Sequence, residues 1–466
     1  MRLPSPDSRS HARRLRTWAG VAVLGLGLVT GCRHGAAAER PLDARAQARE
    51  YLAKKQPERA LPLLEAEYAG APEDLELARL LTEAQVKAGH TDAWIAELQR
   101  RNAQAERAAN HYMLGLAYFS RASDAGAPAV AAFERAVELK PDEPELHYRL
   151  GLARLESEQY AEAVGPLRRA VELAPERAGF RLPLAKALHR TGDAAGAVAS
   201  LGALVRMSPS PAEVATARAL MEQISDPFAR FPKAAEPKLE EGLRYLRELD
   251  APHPAIVAFE EILRDYPDLA VVHALMGLAW QRLDDAGRAV EEFKRAIELA
   301  PEDGKNHFYL GELYLGRQRP EAAKPHLEKA VELNPLQDVA WFRLGDIHLE
   351  QRNLKAAGEA FRVLTYLLPD EEAPRGKLAL VRQLEGDWAG AERELLHVVD
   401  KNPDNVEFTL RLGILFAEQA KQSSRPEERR EAAGKAEHWL RKVLEAQPEN
   451  AVASRALQQL KSPRAQ

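Results

Sequence analysis

The chain has 466 residues, 45% of them hydrophobic and 29% charged, so it can bury a core and does not have a disordered composition. Its formal charge is −5 and it holds one cysteine. These values exclude an intramolecular disulfide, a cysteine metal cluster and the basic face that nucleic acid requires.

At the N-terminus, Arg13, Arg14 and Arg16 precede an uncharged, mainly apolar run from Thr17 to Cys32. That run is shorter than the roughly 20 residues of a bilayer-spanning helix. A basic region, a short apolar core and then small residues is the order of a secretory signal. Within it, Val29-Thr30-Gly31-Cys32 resembles the lipobox of bacterial lipoproteins: a branched apolar residue, a small residue, Gly, then the cysteine. The resemblance implies that residues 1–31 are a lipoprotein signal peptide cleaved before Cys32. It also implies that the Cys32 thiol takes up diacylglycerol and its new amino group an acyl chain, with residues 32–40 as a short tether. Several acyl chains anchor stably where one is marginal. An ordinary secretory signal and, through Arg13-Arg14, twin-arginine export are the alternatives. Cleavage would remove five arginines against one aspartate and leave a charge of −9. Arg33 stands where Asp retains a lipoprotein in the inner membrane, so the family rule implies the periplasmic face of the outer membrane, with the inner membrane as the alternative.

Beyond residue 40 the chain repeats itself. Gly277, Gly311 and Gly345 are 34 residues apart, as are Pro301, Pro335 and Pro369, Ala289, Ala323 and Ala357, and Phe293, Leu327 and Phe361. Further units carry Leu150-Gly151, Ala163, Leu167 and Pro175; Leu184-Ala185, Gly192, Ala197 and Pro209; and Leu378-Ala379, Gly386, Ala391 and Pro403. Weaker units lie near 41–74, 75–107, 108–143, 235–269 and 406–450, the last interrupted by "KQSSRPEERREAAGK". The pattern resembles the tetratricopeptide repeat and implies an all-α solenoid, a right-handed superhelix of about eleven helix-turn-helix units. Gly or Ala at the eighth position and Ala at the twentieth remove bulk where the two helices cross. A large residue at the twenty-fourth fills the space between them, and Pro at the thirty-second ends the second helix. Because no single hairpin buries its own face, stacked neighbours supply the core.

The spacing predicts an N-terminal array over 41–209 and a C-terminal array over 235–466 ending in a capping helix. Between them, 210–234 is predicted as one helix and a proline-studded joint; a degenerate repeat in a continuous superhelix is the alternative. No phosphate-cradling GxxxxGK, HExxH or GxSxG is present, so no enzyme activity and no cofactor beyond the lipid on Cys32 are expected. His111, His147, His273 and His307 share the fourth repeat position with Trp341. Successive repeats are separated by about 10 Å, whereas zinc holds its nitrogens at about 2 Å. The ladder is therefore expected to be a packing position for a flat ring and not a metal site.

In tetratricopeptide proteins the first helix of each pair lines the concave surface. Carrying the family's positions over implies a groove of Tyr112, Leu116, Phe119, Tyr148, Leu152 and Leu155, and in the second array Phe308, Leu315, Phe342 and Leu349. Burial of some of these side chains by flanking repeats is the alternative. The ninth position is Leu116, Leu152, Leu243, Leu278, Leu380 and Ile414, which departs from the Lys/Asn/Arg carboxylate clamp of chaperone-docking relatives and favours an apolar groove. The resemblance implies a non-catalytic scaffold, membrane-bound through its lipid alone, that binds or assembles other envelope proteins. By family analogy these belong to pilus or secretin, motility or polysaccharide-export machinery. A regulatory or sensory subunit of an envelope enzyme complex is the alternative.

Overall fold

A computed structural model describes residues 43–121, 126–229 and 231–461. The lipobox and Cys32 lie outside the described residues. Twenty-four α-helices follow one another, with no strand among the described residues. They pair as α1 (Ala44–Ala53) with α2 (Pro57–Gly70), α3 (Leu75–Lys87) with α4 (Thr91–Gln104), and α5 (Ala108–Phe119) with α6 (Gly126–Leu139). Next come α7 (Pro144–Glu156) with α8 (Tyr160–Leu173) and α9 (Arg181–Arg190) with α10 (Ala194–Val205), then α11 (Pro211–Ile224) alone. The second series is α12 (Glu236–Arg247) with α13 (Pro252–Asp265), α14 (Ala270–Arg282) with α15 (Ala286–Leu299), and α16 (Gly304–Gly316) with α17 (Pro320–Leu333). It ends with α18 (Asp338–Glu350) and α19 (Leu354–Leu367), α20 (Glu372–Glu385) and α21 (Trp388–Lys401), α22 (Val406–Gln422) and α23 (Pro426–Ala446), and a last helix, α24 (Ala451–Lys461). The insertion near 421–435 lengthens α22 and α23 to 17 and 21 residues.

The repeated small and large residues close the regular hairpins. A Cβ on Gly277 would stand 2.6 Å from the ring of Phe293, and one on Gly345 equally close to Phe361. Ala289, Ala323, Ala357, Phe293, Leu327 and Phe361 are all fully buried. No real Cβ sits at 2.6 Å, so the glycine is required by the large residue across from it. The turns inside several hairpins share a backbone requirement. Gly89, Gly192 and Gly386 have left-handed backbones, and Asp284, Gln318 and Arg352, each 34 residues from the next, adopt the same conformation at φ 62°, 57° and 60°. The last three bear the steric cost that glycine escapes.

At three of the five fourth positions the ring proves to be a hydrogen-bond donor to the backbone, whereas His111 meets Glu106 and His307 meets His326. His147 Nε2 donates to the Pro141 carbonyl at 2.7 Å, His273 Nε2 to Pro267 at 3.0 Å and Trp341 Nε1 to Pro335 at 2.9 Å. Each ring caps the carbonyl of the proline that ended the previous hairpin, which explains why imidazole and indole interchange there.

The two series of repeats meet far from their junction in sequence. Helix α11 packs on α9 and α10, and also on α19; α10 packs on α17 and α19. Val205, Val214 and Leu220 share one buried cluster with Leu336, Trp341 and Leu364. Arg206 pairs with Glu359 at 2.8 Å and covers the Trp341 ring at 5.1 Å. Ser208 Oγ donates to the Tyr366 hydroxyl at 2.6 Å, and Arg218 reaches the Leu336 and Leu367 carbonyls and Asp338.

Candidate partner-binding surface

The first helices of the hairpins present the residues expected to line a groove, and packing divides them. Tyr112 and Leu155 are corrected to core positions, at 0% and 5% exposure. The Tyr112 ring lies 6.2 Å from Phe133, the residue that fills its hairpin, and its hydroxyl donates to Glu145 at 3.4 Å. Desolvation drives the Tyr112 phenol well above its ordinary range. An aromatic at the fifth position has the same sequence signature whether its ring turns inward or outward, so the pattern alone does not separate the two. Leu116 and Leu152 are half-buried, and Phe119 is 38% exposed. Tyr148 is half-buried, stacked on Phe180 at 4.5 Å with the Arg149 guanidinium 5.5 Å from its ring.

In the second series Phe308, Leu315, Phe342 and Leu349 are all half-buried. Phe342 stands edge-on to Phe361 at 6.0 Å with the Lys377 ammonium 5.9 Å from its ring. Leu315 lines a cleft of about 370 Å³ with Glu312, Pro320, Arg343, Asp346, Ile347 and Glu350.

A purely apolar groove is therefore corrected for α16 and α18. Their ninth positions are Glu312 and Asp346, and each accepts from the sixth position of the next first helix. Arg343 pairs with Glu312 at 2.9 Å and Lys377 with Asp346 at 2.9 Å. These pairs form a charged ladder across α16, α18 and α20, beside the exposed Val339, Leu380 and Leu384. A surface that mixes paired charge with exposed aliphatics suits an amphipathic partner segment, since the pairs fix its register and the aliphatics supply burial. The ladder follows from residues six and nine of successive repeats, a spacing that reading each repeat separately does not reveal.

Among the described residues no group of three or more His, Cys, Asp or Glu side chains is placed to hold a metal. No described helix is long and apolar enough to cross a membrane.

Sequence models of the tetratricopeptide repeat match residues 127–178 and 308–372, and a second such model matches 154–221. No curated protein matches the chain. Among solved structures, YrrB, a TPR protein with an unusual peptide-binding site, is 19% identical over 43% of this chain and 98% of its own, with a TM-score of 0.38. PilF of Pseudomonas aeruginosa is 19% identical over 49% of this chain and 98% of its own, at 0.36. The Cut9–Hcn1 heterotetramer of APC/C is 13% identical over 90% of this chain and 96% of that one, at 0.33. Residues 127–221 and 308–372 are tetratricopeptide repeats, and the helical array in which they sit is an all-α solenoid of that repeat.

Proposed function

We propose that the chain is a non-catalytic, lipid-anchored scaffold that holds other envelope proteins on the periplasmic face of the outer membrane. Tetratricopeptide repeats generally mediate protein–protein interaction, and the α16–α20 face offers paired charges beside exposed aliphatic side chains for it. The anchor rests on one observation: Val29-Thr30-Gly31-Cys32 directly follows a basic and then an apolar segment. The fold does not name the partner; pilus or secretin, motility and polysaccharide-export components are the candidates.

Cys32→Ser followed by membrane fractionation and labelling with a fatty-acid probe tests the anchor. The native chain is expected to partition with outer-membrane vesicles and carry label, and the variant to do neither; unchanged attachment of the variant overturns the proposal. For the surface, Leu380→Arg with Leu384→Arg should abolish crosslinking to envelope partners in cells. Both side chains are about 40% exposed, so thermal stability should stay the same.

A further inference from the structure

The second hairpin departs from the small-residue rule at the helix crossing. Its eighth position is Thr82 and its twentieth is Trp94, where other hairpins carry Gly or Ala and then Ala. Both are buried, and the indole Nε1 donates to the Thr82 hydroxyl at 3.4 Å. The two bulky side chains set the backbones of α3 and α4 further apart than those of the other hairpins, and α3 packs on α5 as well. Here a cleft of about 410 Å³ lies between α2, α3, α4 and the start of α5.

One buried polar atom of the wall, the Tyr68 hydroxyl, has no hydrogen bond among the described residues. Such atoms are uncommon in native folds, and one facing a cleft points to a missing ligand or solvent. Tyr68 lines the cleft at 6% exposure with its hydroxyl unpaired. Asn110 lines it at 5% exposure, and its amide has no hydrogen bond among the described residues. Arg107, also in the wall, is exposed and has no ion-pair partner among the described residues. It is the N-cap of α5, whose first turn has neither a capping side chain nor an acidic residue. Unmet backbone N–H groups there add to the positive potential. Arg101 and Arg107 both act on Tyr68, opposing the rise to about 12 that burial and then Glu73 impose on its phenol.

The wall also sets limits on the ligand. Arg101 is already paired with Glu97 at 2.8 Å, and Glu65 lines the cleft while accepting from Gln85. One free guanidinium and one carboxylate in the wall suit a single negative charge better than a dianion. Ala69, Pro72, Leu81 and Ala105 supply apolar wall for a short aliphatic body. We propose that this cleft binds a carboxylate-bearing ligand, a peptide C-terminus or a small organic acid, through Arg107, Asn110, Tyr68 and the open first turn of α5. The proposal does not depend on the membrane anchor or on the groove.

The test is calorimetric titration of the full chain with acetyl-trialanine, with the same peptide as its C-terminal amide, with acetate and with inorganic phosphate. The free acid is expected to bind saturably and the amide at least tenfold more weakly. Arg107→Ala should weaken the acid about tenfold. Tyr68→Phe removes a hydroxyl that bonds nothing in the free protein, so it should weaken the acid severalfold with an unchanged melting temperature. Acetate binding with the same Arg107 dependence while the peptide fails would identify the ligand as a small organic acid. Equal binding of acid and amide overturns the proposal. So does indifference to both substitutions, or phosphate binding as tightly as the carboxylate.

Discussion

Hairpins α3/α4 and α18/α19 occupy equivalent repeat positions and reach opposite outcomes. In α18/α19, Gly345 and Ala357 let the helices close on Phe361. In α3/α4, Thr82 and Trp94 hold them apart. The difference lies in two side chains at the crossing, because both helices form in either case. Helix formation and hairpin closure are thus separate decisions, the first set by amphipathic periodicity and the second by volume where the backbones meet.

Four substitutions test this contrast. Phe361→Ala removes the residue on which the tight hairpin closes and should cost about 3–5 kcal/mol, seen as loss of hydrogen-exchange protection in α18 and α19. Gly345→Val overfills the same crossing and should cost roughly 1–3 kcal/mol in the same measurement. If either were silent, closure would not depend on that crossing. In the open hairpin, Thr82→Val keeps the volume but leaves the Trp94 N–H without its acceptor. It should cost about 1–2 kcal/mol, read from urea denaturation followed by tryptophan fluorescence. Gln318→Gly acts on a turn and not on a crossing. It relieves an exposed left-handed residue and should gain about 0.5–1 kcal/mol, visible as a raised melting temperature.

The tight region also contains a pH contrast. His273 and His307 share the fourth position, and each meets the residue 19 positions later: Glu292 at 2.7 Å in one case and His326 Nδ1 at 3.2 Å in the other. Burial lowers both His307 and His326, with Lys294 and Lys329 adding to it and Glu332 opposing. For His273 burial acts the same way, but Glu292 and the Pro267 carbonyl outweigh it and the imidazole titrates above its ordinary value. A lowered histidine means that the unfolded chain binds more protons, so α16/α17 should lose stability as pH falls below about 6.5. The loss should continue until the pH has passed the folded values. His326→Glu should move His307 from below to above its ordinary pKa in an NMR titration. No change would show that burial alone sets it.

Much of this was legible in the sequence where residues recur at 34-residue spacing, since Gly277, Gly311 and Gly345 mark their own hairpins. The second unit was faint for the reason that makes it unusual, because Thr82 and Trp94 replace the signal residues. The groove was half legible: Phe119 and Phe342 reach the surface, whereas the orientation of Tyr112 depends on how α5 meets α6 and α7. The docking of α10 and α11 on α17–α19 left no sequence pattern, because its partners are 118–158 residues apart and share no period.

That docking changes how the molecule comes apart. A linear stack of repeats frays from its ends, each unit held only by its neighbours. Here the Arg206, Ser208 and Arg218 contacts close helices α12–α16 into a ring, since both flanks of that stretch are fastened to each other. Ring closure carries an entropic cost that grows only slowly with the length of the closed stretch. Once it is made, the interior repeats cannot unravel in sequence; they are released together, when the fastening opens.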